Sequence, residues 1–174
     1  MRKHFFYILF LSLTISAHGK SDKKYWKQWN SKYSKVDIIS VLESERLYAD
    51  KVEKDTAILP YYLRAAAYRF EAEYLGETRT TSKDVISSMR RVFKLLIGDP
   101  AQLDGMTENE VLFRVGQEEI WMPIQPQVLE YLKKEVNKGS IVTLYCLFLN
   151  EHTVNNELYN TLFISEFFQQ ISNR

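Results

Sequence analysis

A single cysteine, Cys146, leaves the chain without any intrachain disulfide. Histidine is almost as scarce: His4 and His18 lie near the start and His152 near the end. There is no second cysteine, and His152, the histidine outside the start of the chain, has no carboxylate at helical spacing, so the usual zinc ligand sets are missing. Asp99 with Asp104 and Glu108 with Glu110 offer oxygen ligands, but lack the alternating acid pattern with a central glycine that calcium loops use. They are expected as surface acids. Glycine is sparse, and "LIGDP" and "LDGM" each carry one glycine where a phosphate cradle needs several. An excess of either charge is also missing: 23 basic residues face 22 acidic ones, a net charge of +1. No global field draws in nucleic acid, and no cofactor is expected.

Beyond the first residues, no apolar stretch is long enough to span a bilayer. The start itself reads as an export signal. Arg2 and Lys3 precede an apolar run from Phe5 to Ala17, and Ala17-His18-Gly19 is a small-x-small cleavage site. That run is shorter than the ~20 residues of a membrane-spanning helix. Cleavage near Gly19 predicts a soluble protein, residues 20–174, in a periplasm or outside the cell. It also removes Arg2 and Lys3, which takes the basic count to 21 against 22 acids. Without disulfides, such a protein relies on its core, and an aromatic content of 14% can supply one.

Residues 20–35, "KSDKKYWKQWNSKYSK", interleave six lysines with Tyr25, Trp26, Trp29 and Tyr33. Trp26, Trp29 and Tyr33 share one face of a helix. That face either docks on the protein's own core or, with the lysines, touches a membrane surface. A second helix is expected over 35–54, with Ile38, Val41, Leu42, Glu45, Tyr48 and Val52 along one side. Residues 61–76 fit a helix through Leu63, Ala67, Phe70 and Tyr74, but their strict alternation from Tyr68 to Tyr74 favours a strand ending at Gly76. Residues 82–97 form a helix capped by Ser82, with Val85, Met89, Val92, Phe93 and Leu96 buried. Two short strands about Gly116 span 110–124, and a helix opened by Pro126 spans 126–137. The run "SIVTLYCLFL" is a strand apolar on both faces, "NEHTVNNE" is a turn, and "LYNTLFISEFF" is the last strand.

These elements predict an α+β fold in which N-terminal helices over 20–60 pack on a small five-stranded antiparallel OB-like barrel over 61–174. Five strands with a helix between the third and fourth follow the order of an OB-type barrel, here with an extra helix after the first strand. The helix at 126–137 then plugs one end, with Leu129 and Tyr131 inward. If 61–75 is helical, the alternative is a four-stranded antiparallel sheet with helices.

Catalytic sets are thin. His152 is expected in an exposed hairpin tip and Cys146 as a small buried hydrophobe. Glu71 and Glu73 share a strand face at ~7 Å, a separation usable by a glycan hydrolase, but Arg69 joins them in what reads as a solvated charge row. The candidate ligand-binding residues are Arg69, Arg114, Trp121 and Tyr145, which lie opposite the apolar faces of their strands. Packing of Trp121 under the N-terminal helices is the favoured alternative and would account for a sheet apolar on both faces. The expected function is a non-catalytic, exported module that binds an envelope or extracellular protein or serves a structural role. An oligosaccharide or single-stranded nucleic acid is the alternative ligand, with nucleic acid the less favoured.

Overall fold

The computed structural model describes residues 23–55 and 57–169; the export signal expected over 1–19 lies outside the described residues. In chain order the elements are α1 (Lys23–Lys32), β1 (Ser34–Lys35), α2 (Ile38–Lys54), β2 (Tyr62–Thr80) and α3 (Lys83–Leu96). A 3₁₀ turn at Pro100–Leu103 precedes β3 (Asn109–Val115), β4 (Glu118–Ile124), α4 (Pro126–Glu135), β5 (Ile141–His152) and β6 (Leu158–Phe168). Helix ends follow local chemistry. Asp37 caps α2 by accepting from the N–H groups of Ile39 and Ser40, and the Ser82 hydroxyl accepts from the N–H of Val85 at the start of α3. No helix among the described residues is long and apolar enough to cross a membrane.

The fold is α+β. Among the described residues six strands form one mixed sheet in the order β1-β2-β3-β4-β6-β5, and β2 also pairs with β5, so the sheet closes into a ring. A five-stranded antiparallel sheet was expected, and the difference has two sources. The chain leaving α1 runs beside β2, where β1 pairs parallel to Tyr68 and Arg69. The β5–β6 hairpin also returns the chain in the direction of β4, so β4 meets β6 in parallel at Ile124 and Ile164. The four-stranded alternative falls because residues 62–80 are strand.

That strand does not stop at Gly76. Gly76 adopts a φ of +78°, and the β2–β3 register shifts between Tyr74 and Thr78. The resulting bulge bends β2, so Tyr62 to Glu73 pair with β5 and Glu73 to Thr80 pair with β3. Pairing along β5 overrides the helical leaning of Ala65, Ala66 and Ala67.

Inside the ring lie Phe70, Phe113, Met122, Leu144, Phe148 and Ile164, all buried. Val128, Leu129, Leu132 and Val136, from α4 and its C-terminal end, join the same core, with Ile38 from α2. Leu132, fully buried, is a deeper inward residue than Tyr131, which is only partly buried. A second core forms outside the ring. Met89, Val92 and Phe93 of α3 pack on Leu147, Leu149 and Phe163, each large side chain stabilising by roughly 1.5–3 kcal/mol. Leu96 was expected in that stripe but is exposed at the end of α3, since the helix turns it past the last sheet contact.

His152 is the largest departure from expectation. It is the final residue of β5, fully buried, and not an exposed turn residue. Its ring lies parallel to Tyr62 with centroids 5.2 Å apart; Nδ1 is 2.5 Å from the Pro60 carbonyl oxygen and Nε2 is 3.2 Å from Glu53 Oε1. The polar composition of the surrounding sequence pointed to a turn. The partners that bury it come from α2 and the following connection.

Candidate binding face

The outer side of the ring has three sectors. In the first, α1 covers Tyr145. Trp26, Trp29 and Tyr33 ring this tyrosine at centroid distances of 5.8, 5.5 and 5.6 Å. Its hydroxyl donates to Asn30 Oδ1 at 3.0 Å, and burial pushes its pKa up. Tyr145 is therefore a buried anchor for α1 and is not open to a ligand. Arg69 lies beside it on β2 and donates through Nε to the Tyr33 carbonyl at 3.0 Å, tying β2 to the end of α1.

The second sector is the α3 packing described above. The third consists of the C-terminal half of β2 with β3 and β4. Neither β3 nor β4 has a helix packed along it among the described residues. The hairpin register places Leu112 opposite Trp121 and Arg114 opposite Glu119, and β2 sets Glu73 against Arg114 and Arg79 against Glu110. Cross-strand partners share a face, so Glu73, Arg79, Glu110, Arg114 and Trp121 all point outward.

Arg79 and Glu110 organise this face, and the sequence reading missed both. The Arg79 guanidinium sits 4.2 Å from the centroid of Trp121. Its Nε donates to Glu110 Oε2 at 2.6 Å. Glu110 is only 3% exposed, so the expectation of a surface acid fails. It is buried because Arg79 neutralises it, which a window around residue 110 cannot show. Trp121 lies under that arginine rather than under the N-terminal helices.

Arg114 forms a second cluster, donating to Glu73 at 3.2 Å and Glu119 at 2.8 Å; the bond to Glu119 and the charge of Glu73 raise its pKa. On this outward face three glutamates, Glu73, Glu110 and Glu119, stand against two arginines, Arg79 and Arg114. The face carries an acid excess that opposes a phosphodiester backbone. The structure thus groups Arg114 and Trp121 with Arg79, and sets Arg69 and Tyr145 in the α1 sector. Glu71 is exposed, and Glu73 is engaged by Arg114.

A closed polar group lies where β5 ends. Glu151 is fully buried, and Arg91 of α3 grips it through Nε and Nη2 at 2.7 Å each. Burial pushes this carboxyl up, but the Arg91 fork together with the Ser88 and Tyr61 hydroxyls outweighs it and holds the pKa below the usual carboxylate value. Cys146, fully buried in the ring, has its thiol pushed up by burial alone. Among the described residues no group of three or more His, Cys, Asp or Glu side chains is placed to hold a metal ion. A shallow hollow of about 430 Å³ on α2, lined by Leu47, Asp50, Lys51, Lys54 and Asp55, gathers none of these residues. Comparison with protein-family models, with curated proteins and with solved structures finds no match for this chain.

Proposed function

We propose a non-catalytic, exported binding module of the cell envelope whose five-strand ring, β2 to β6, is an OB-type barrel. Support for the barrel comes from the β2–β5 closure and from α4 lying between the third and fourth strands of the ring. Its contact face is the β2–β3–β4 sector, the part of the ring on which OB-type proteins hold ligands. One observation carries this reading: Arg79 is held over the Trp121 ring by a buried carboxylate, beside β3 and β4, which have no helix packed along them among the described residues. Arginine and tryptophan are the side chains that dominate protein interfaces when prearranged. The acid excess selects a partner surface that is neutral or basic.

The test is capture of partners from envelope extract by wild-type protein and by Trp121→Ala and Arg79→Ala. Loss of a specific captured protein in both variants, with unchanged circular dichroism, supports the face. The same captured set in all three removes it.

An oligosaccharide is the second reading, favoured by the same stacked pair. The Trp121–Arg79 platform beside carboxylates offers a flat surface with donors and acceptors for hydroxyls. A thermal-shift panel of oligosaccharides separates the two, since a ligand at a hundredfold its Kd stabilises by about 2.7 kcal/mol.

A further inference from the structure

Helix α1 divides its two halves between different tasks. Its aromatic half is used inside the molecule, where Trp26, Trp29 and Tyr33 surround Tyr145 and Asn30 takes the Tyr145 hydroxyl. Its other half carries charge of one sign. Residues 23–35 hold Lys23, Lys24, Lys27, Lys32 and Lys35 and no acid; Asp22 stands just before them. Lys27, Lys32 and Lys35 are exposed and form no ion pair with a carboxylate among the described residues. Lys23 and Lys24 occupy the first turn, the positive end of the helix dipole, and that turn holds no acidic residue. Residues 36–174 have the opposite balance, with 15 basic against 21 acidic residues, a net charge of −6. The molecule is bipolar, with a cationic edge of α1 and β1 on an anionic body.

We propose that this edge is an electrostatic docking surface for an anionic phospholipid bilayer. Charge complementarity selects the surface and orients the protein, because the acidic body is repelled and only the α1 edge is attracted. An acidic protein partner fits less well. Protein interfaces depend on buried aromatic or aliphatic anchors, and the anchors of this helix are already committed to Tyr145. Adsorption to a bilayer needs charge alone, at about 1 kcal/mol per basic residue near the surface. The same commitment excludes an inserted amphipathic mode, which would place the tryptophans among the acyl chains. The contact is superficial, reversible and sensitive to salt. The export signal expected at 1–19 delivers the chain to a membrane.

Co-sedimentation of the exported protein with phosphatidylcholine vesicles, with and without phosphatidylglycerol, tests this. Binding is expected only with phosphatidylglycerol. It weakens steeply as salt shortens the screening length from ~30 Å at 0.01 M to ~3 Å at 1 M. Each lysine replaced by glutamine lowers the partition coefficient about fivefold, so the triple variant Lys27→Gln/Lys32→Gln/Lys35→Gln loses about two orders of magnitude. The three side chains are exposed, so its melting temperature stays at the wild-type value, and the loss reports the surface rather than the fold. Tryptophan emission does not shift blue on binding. Equal binding to neutral vesicles, no binding to anionic ones at low salt, or full binding by the triple variant overturns the proposal. A blue shift on binding overturns it too, since it would mean that the rings leave Tyr145 and insert.

Discussion

Replacing Arg91 with alanine removes the guanidinium that neutralises Glu151. The carboxylate has no exposure and loses two bonds of 2.7 Å; the Tyr61 hydroxyl, 3.4 Å away, is too distant to replace them. Stripping one partner from a fully buried ion pair costs about 3–5 kcal/mol. Arg91 itself is 46% exposed, so water reaches the fork from one side and the cost falls to roughly 2 kcal/mol. At this chain length that lowers Tm by about 4–8 °C. The pH dependence carries a sign. In the wild type the depressed carboxyl contributes stability above the unfolded pKa of ~4.3 and loses it as pH falls through the lower folded value. In Arg91→Ala burial is opposed only by the Ser88 and Tyr61 hydroxyls, so the folded carboxyl binds its proton more tightly than in the wild type. The gap in Tm between variant and wild type is therefore wide at neutral pH and narrows towards pH ~4. Glu151→Gln costs less than Arg91→Ala because the arginine it leaves behind can hydrate, and the double variant is more stable than Arg91→Ala alone. Calorimetry at both pH values reads all of this. A Tm gap independent of pH, or a double variant worse than Arg91→Ala, would refute the reasoning.

Tyr145→Phe removes the bond to Asn30 and costs about 1 kcal/mol with tryptophan emission unchanged, whereas Tyr145→Ala empties the centre of the α1 contact and shifts emission red as Trp26 and Trp29 lose it. Cys146 stays unlabelled by thiol reagents in the native protein and reacts at the rate of unfolding, because it is fully buried and its thiol is held protonated; fast labelling would contradict its place inside the ring. Gly76→Ala forces a side chain to a φ of +78°, with its Cβ 3.4 Å from the Lys138 side chain, and is expected to cost about 1–2 kcal/mol in denaturant melts.

Much of the scaffold is readable along the chain. The alternation from Tyr68 to Tyr74 identifies β2 against its alanines, Ser82 marks the start of α3, and Pro126 opens α4. The spacing of Trp26, Trp29 and Tyr33 names the side of α1 that packs inward. Each of these is a short-range pattern, satisfied within one element. The extension of β2 through Gly76 is not such a pattern, because a glycine that ends a strand and one that bends it look alike until two neighbouring strands pull on its two halves.

Of the candidate site, Arg114 and Trp121 were legible as an outward pair on one hairpin, and Arg79 and Glu110 were not. The polar end of β5 was hidden in the same way. By itself the amino-acid order determined which segments are helix or strand and which of their faces are apolar. Only the tertiary structure decided which charged and polar residues could leave water. A buried carboxylate or imidazole needs a partner, and here the partners stand 31 residues apart for Arg79 and Glu110, 60 for Arg91 and Glu151, and 99 for Glu53 and His152. No local pattern spans such distances, so burial of charge is settled when the ring closes and not before.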